Sequence, residues 1–201
     1  HVTAWTDQCM ECLKSRKRPT KQEAVAVKPA ELDAWQEVMV DFEGPNPPDQ
    51  KGNRYSLTYM CCLSHEALFE PVPRLTATAV RRAFGRCIFR ARTIPVLLRT
   101  DRGQEFKSAI LEEYAALMGC EHRLATALRP CEMGPVERIH QESQKLLGVI
   151  MNDVAKSEPE EWGDMLLVVE YLLALTPGVN GWCPRDLSLK WSVGLPLEKD
   201  L

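Results

Sequence analysis

From Trp35 the chain begins to alternate. Val38, Val40 and Phe42 fall on one side of an extended segment, Met39 and Asp41 on the other, which predicts a strand ending at Gly44-Pro45-Asn46-Pro47-Pro48. Arg54 to Leu63 and Ala67 to Val72 are two further β-rich runs, with Asp49 to Asn53 and its Gly52 as the turn before them. The period then changes. Between Thr76 and Arg92, Val80, Phe84, Cys87 and Ile88 share one stripe and the arginines another, the pattern of an amphipathic helix. Val96 to Leu98 is a short apolar run that fits a buried strand ending at Asp101. Phe106, Ile110, Tyr114 and Leu117 recur at helical spacing between Glu105 and Met118, and Gly119 supplies the stop. Cys120 to Thr126 predicts one more strand. After a loop, Ala127 to Met133, a long helix starts at about Pro135, where proline suits the first helical position. A last helix spans about Pro159 to Leu175, and the tail after Pro177 reads as irregular.

Three strands in succession form an antiparallel meander, and strands separated by helices add parallel neighbours. The expected fold is α/β, a mixed sheet with helices on its faces. Residues 31–178 form the core, 179–201 a tail that closes it, and 14–30 a basic linker broken by Pro19 and Pro29.

Composition narrows the class. The chain has 201 residues, 45% hydrophobic and 26% charged, enough apolar material for one core. The longest apolar stretch, Met165 to Leu175, is interrupted by Glu170 and falls well short of the roughly 20 residues of a membrane span. No secretory leader is visible and the chain does not begin with Met, so a soluble, intracellular piece of a longer protein is expected. Of its 8 cysteines only Cys9 and Cys12 have ligand spacing; the others sit in apolar segments as reduced core thiols. The net charge of −3 hides an uneven distribution, with seven arginines and no acid in residues 71–100. That set is either a solvated helix face or a surface for phosphate.

Three acids stand apart. Asp41 lies on the face of the first strand opposite Val38, Val40 and Phe42; Asp101 sits where the buried strand ends, and ligands gather beyond strand ends in such sheets. Glu137 lies on the long helix, opposite the stripe Ile139, Leu146, Leu147, Ile150 and Val154 and beside Gln141 and Gln144. Three carboxylates from three elements suit hard divalent cations. Singly, each also fits a turn former or a solvated acid.

The surrounding sequence resembles the catalytic core of retroviral and retrotransposon integrases over roughly Trp35 to Leu187. The motifs are Val40-Asp41-Phe42-Glu43-Gly44-Pro45, Gly52-Asn53-Arg54-Tyr55, Thr100-Asp101-Arg102-Gly103-Gln104-Glu105-Phe106, Gly134-Pro135-Val136-Glu137-Arg138-Ile139-His140 and Gly181-Trp182-Cys183-Pro184-Arg185-Asp186-Leu187. Thirty-five residues separate Asp101 from Glu137, the spacing that names the family's D,D-35-E triad. The resemblance implies an RNase H-like mixed five-stranded sheet flanked by helices. It also implies a site for two Mg²⁺ or Mn²⁺ ions, with Asp41 bridging both, Asp101 on one and Glu137 on the other. The implied activity is 3′-end processing of double-stranded DNA and strand transfer into a target. A homodimer or higher oligomer, no membrane partner, and action in the nucleus after a cytoplasmic particle stage follow from the same resemblance. A plain RNase H-like nuclease and a decayed or domesticated, non-catalytic core are the alternatives.

Departures from the family matter. Cys9-x-x-Cys12 resembles the second half of a His-His-Cys-Cys zinc module, but His1 lies too close for the family's His pair. Zn²⁺ is therefore expected only in a full-length parent. Met133 replaces the usual small polar residue before Gly134, and Glu132 adds an acid. Positions along the long helix that are often basic hold Gln141 and Gln144, so Arg102, Arg138, Gln141, Gln144 and Lys145 are the expected but weak DNA contacts. His65 and His122 read as structural. Trp162, Leu166, Val169 and Leu173 form a stripe for the core or for a subunit contact.

Overall fold

The alternation that begins at Trp35 becomes a strand with a different core on each side. The computed structural model describes residues 32–101, 109–124, 134–151, 161–178 and 181–192. Strands β1 (Glu37–Glu43), β2 (Tyr55–Cys61) and β3 (Ala67–Val72) form the antiparallel meander. β4 (Leu97–Thr100) pairs parallel with β1, and β5 (Glu121–Leu124) parallel with β4, so the order is β3-β2-β1-β4-β5. Helix α1 (Ala77–Ala91) follows the meander and α2 (Ala109–Leu117) crosses from β4 to β5. Helices α3 (Gly134–Val149), α4 (Trp162–Leu175) and α5 (Pro184–Ser192) complete the chain. The expected mixed five-stranded sheet flanked by helices is present.

Each face of the central strands has its own apolar partner. Val38, Val40, Leu57, Tyr59 and Leu98 bury against Ala83, Phe84, Cys87 and Ile88 of α1 and Ala115 of α2. Trp35 stacks on Tyr59 with ring centroids 5.8 Å apart, Phe84 meets Tyr59 edge-on at 5.5 Å, and Tyr114 meets Phe84 at 5.9 Å. The opposite face of β1 to β3 offers Met39, Met60, Ala67 and Phe69 to Val136 and Ile150 around α3 and to Trp162, Leu166, Val169 and Leu173 of α4. The α4 stripe is therefore core. Burial pushes the thiol pKa of Cys62 and Cys87 upward and that of Cys120 up to about 11, which fits inert core thiols. Cys9, Cys12 and the linker lie outside the described residues.

The arginine-rich stretch resolves into structure rather than one open basic face. Arg86 and Arg90 of α1 pair with Glu70 on β3, and Arg99 of β4 pairs with Glu37 on β1. Arg90 also binds Glu170 of α4. This pair closes around the outer side of β3: Phe69 N–H donates to Glu170 at 3.0 Å, and Arg90 donates to the Phe69 carbonyl at 2.9 Å. A sheet edge leaves such groups without ladder partners, and here two side chains satisfy them. Arg74, Arg81, Arg82 and Arg92 stay exposed.

The tail after Pro177, expected to be irregular, contains α5. Pro184 opens it in the position where a missing N–H costs nothing, and Asp186 favours the first turn. Its docking comes from afar in sequence. Arg185 donates to the buried Glu66 at 2.9 Å, and the Ser188 hydroxyl donates to that of Ser64 at 2.7 Å.

Candidate active site

Parallel pairing decides which strand ends meet. The β1/β4 register sets Val40 opposite Thr100, so Asp41 and Asp101 follow at the same end of adjacent parallel strands. β4 stops at Thr100 while β1 continues to Glu43 against β2, which opens a fork beyond the sheet. This is where ligands bind in open α/β sheets, because diverging loops leave space there.

Asp41 shares its face with Met39, yet it lies where the apolar layer gives way to polar groups. One carboxylate oxygen accepts from the Phe42 N–H at 2.8 Å. The other lies 3.8 Å from Nδ1 of His140, on α3. Nε2 of the same ring is 2.9 Å from the Thr58 hydroxyl. Thr58 is fully buried and directly opposite Asp41 in the β1/β2 register. Burial pulls the His140 pKa below the usual histidine value.

The other strand end is fastened through β5. Thr100 Oγ1 lies 2.9 Å from Nε2 of His122 and donates to the Asp101 carbonyl at 3.2 Å. Burial lowers the His122 pKa as well, and the ring serves this link, in line with the structural role expected for it. His65 sits at φ 60° between β2 and β3, and burial, then the nearby Arg138 charge, lowers its pKa.

Glu137 is exposed in the first turn of α3, the helix that packs across β1 and β2. Asp41 and Asp101 therefore stand at one end of the sheet, and Glu137 lies three residues before His140 on the helix that reaches Asp41. Their chemistry suits a hard divalent cation. Among the described residues, however, no three His, Cys, Asp or Glu side chains stand close enough together to hold an ion.

Comparison with known proteins places this geometry. No protein-family model matches the chain. It is 26% identical over 165 residues to the retrovirus-related Pol polyprotein from transposon 412 of Drosophila melanogaster, covering 81% of this chain and 13% of that protein. It is 29% identical over 140 residues to the Gag-Pol polyprotein of feline leukemia virus, covering 70% and 8%. The chain thus spans a small part of the curated relatives it matches. The catalytic core domain of BIV integrase superposes with a TM-score of 0.65 at 19% identity, covering 80% of this chain and 97% of that one. The fold is that of an integrase catalytic core. The magnesium complex of the HTLV-2 integrase core, in a trimeric form, gives 0.65 at 17% identity over 78% and 98%.

Within this fold, the expected DNA contacts divide. Arg138, Gln141, Gln144 and Lys145 are all exposed on α3. Gln144 is not idle, since its amide donates to Glu43, two residues beyond Asp41. Burial raises the Glu43 pKa, and the Gln144 hydrogen bond opposes that rise. Arg102 and Glu132 lie outside the described residues. Sequence reading missed Glu43, Thr58 and His140. Two signals were available: Glu43 shares Asp41's strand face at i+2, and His140 follows Glu137 at i+3.

Proposed function

We propose that this chain is the catalytic core of a retroelement integrase, a metal-dependent polynucleotidyl transferase that trims a DNA 3′ end and joins it to target DNA. The observation that carries the reading is the placement of Asp41 and Asp101 on adjacent parallel strand ends, beside the helix that carries Glu137. Asp41, Asp101 and Glu137 would hold two Mg²⁺ or Mn²⁺ ions through carboxylate oxygens. When bound, such ions polarise the phosphate, lower the pKa of the attacking water or hydroxyl, and stabilise the leaving oxygen. The chain itself supplies position. Parallel register brings two acids to one sheet end, and α3 presents Arg138, Gln141 and Lys145 beside them for the backbone of double-stranded DNA. Further copies of this chain are the second class of partner, supported by the dimeric and trimeric forms described for the HTLV-2 integrase core. On this reading the protein acts in the nucleus, after a cytoplasmic particle stage.

The test is strand transfer on a branched oligonucleotide with Mn²⁺, comparing the chain with Asp101→Asn. Asparagine keeps the shape and removes the charge. Joined product from the parent and none from the variant, at equal melting temperature, is the expected result. Equal signals from the two would refute the reading, and cleavage without joining would make the protein a nuclease of the same fold.

A further inference from the structure

Outside the three acids, one side chain ties two elements of the site together. His140 lies one helical turn beyond Glu137, and its ring spans the gap between α3 and the sheet. One ring nitrogen approaches the Asp41 carboxylate at 3.8 Å while the other meets the Thr58 hydroxyl at 2.9 Å. Asp41 and Thr58 are cross-strand partners, so one imidazole touches both members of a pair. We propose that His140 is a positioning residue: with its hydrogen on Nδ1, the ring orients the Asp41 carboxylate and registers the first turns of α3 against β1 and β2.

The tautomer follows from the two neighbours. A carboxylate only accepts, so the nitrogen facing Asp41 carries the hydrogen. Nε2 is then a bare acceptor, and the Thr58 hydroxyl donates to it. Thr58 is fully buried, and a buried hydroxyl needs a partner, so it has reason to keep that bond. At 3.8 Å the Nδ1 contact is a directed electrostatic one rather than a direct hydrogen bond. Helix spacing adds the second half of the role. Whatever fixes His140 on Thr58 also fixes Glu137, three residues earlier on the same helix.

This inference rests on Asp41 being a metal ligand, and the experiment separates the two. Imidazole nitrogen shifts are read by NMR and Mn²⁺ binding by electron paramagnetic resonance, on the parent chain and on Thr58→Val, His140→Asn, His140→Gln and Asp41→Asn. Valine keeps the shape of Thr58 and deletes its hydroxyl. Asparagine places an amide N–H near the Nδ1 position, glutamine near Nε2. The His140 signal, assigned by its loss in His140→Asn, is expected to report a single Nδ1–H tautomer in the parent and a mixture in Thr58→Val. Mn²⁺ affinity is expected to fall on the order of tenfold in Thr58→Val and His140→Gln, and to recover in His140→Asn. A parent ring protonated on Nε2 overturns the proposal. So does Thr58→Val with unchanged nitrogen shifts and Mn²⁺ affinity. If Mn²⁺ binds the parent and Asp41→Asn equally, the metal reading fails by itself, and the nitrogen shifts still decide whether Thr58 and Asp41 set the ring.

Discussion

Replacing Gly163 with alanine tests the packing of the loop that leaves β1. Gly163 is buried at the start of α4, and a Cβ built there would stand 2.1 Å from Oδ2 of Asp49 and 3.2 Å from its Cγ. Asp49 cannot step aside freely. It is only 8% exposed. Its carboxylate accepts from Lys51 N–H at 2.9 Å, Asn53 N–H at 2.7 Å and the Asn53 amide at 2.7 Å. Clearing the methyl requires a shift of more than about 1 Å, given ordinary contact near 3.5 Å, and breaks at least one of these bonds. A hydrogen bond to a charged group contributes about 1.5–3 kcal/mol, overpacking costs about 1–3 kcal/mol, and alanine returns at most about 1 kcal/mol of helix propensity. The net loss is therefore about 2–4 kcal/mol, which for a chain of this size lowers Tm by roughly 5–15 °C. Thermal and urea unfolding followed by circular dichroism measure it. The discriminating arm is a double-mutant cycle with Asp49→Ala. Once the carboxylate is gone the methyl has room, and the cost of Gly163→Ala should shrink to near zero, a coupling of about 2 kcal/mol or more. A variant as stable as the parent, or one equally destabilised in both backgrounds, would refute this account of the loop.

Three other outcomes follow from the same contacts. Glu43 carries a raised pKa in the folded state, so the native protein holds that proton more tightly, and stability falls as pH rises from 4.5 through the raised value. Glu43→Gln should flatten that part of the curve and melt higher at neutral pH, read from melting temperatures between about pH 4 and 7. Glu170→Gln leaves the half-buried Arg90 guanidinium only its longer contact with Glu70 and should cost about 1–3 kcal/mol by denaturant midpoint at unchanged slope. Glu66→Ala removes the buried acceptor of Arg185, and α5 should become the first site of proteolytic nicking while the sheet still melts cooperatively.

Periodicity carried much of the fold, and its failures have physical causes. The meander and α1 were legible because their apolar positions keep strict periods, and Thr76 caps α1 by accepting from the Ala79 N–H. The inward line of α3 was read less well. Val136 and Ser143 are its buried positions, followed by Ile150 just past its end, with Ile139, Leu146 and Leu147 only half-covered. A count of apolar residues skips Ser143, whose hydroxyl is satisfied by the His140 carbonyl at 2.9 Å. α5 escaped because it is short and polar, and its anchors, Ser64 and Glu66, lie more than a hundred residues away. Arginines of α1 looked available to phosphate because Glu70 and Glu170 fall outside the segment where they were counted. In the site, strand order made the juxtaposition of Asp41 and Asp101 derivable. The meeting of His140 with Thr58 depends on how α3 crosses the sheet, which no local pattern encodes.

The clasp on Phe69 has a consequence for growth by strand addition. An incoming extended segment needs free donors and acceptors along the rim it joins, and at the middle of β3 they are already taken. Phe69 has given both groups to side chains, and two residues on Pro71 has no N–H to give. Because Arg90 and Glu170 reach the rim from opposite faces of the sheet, opening it would require both helices to release a charge together. A fibre seeded from this side would have to unpack the domain first.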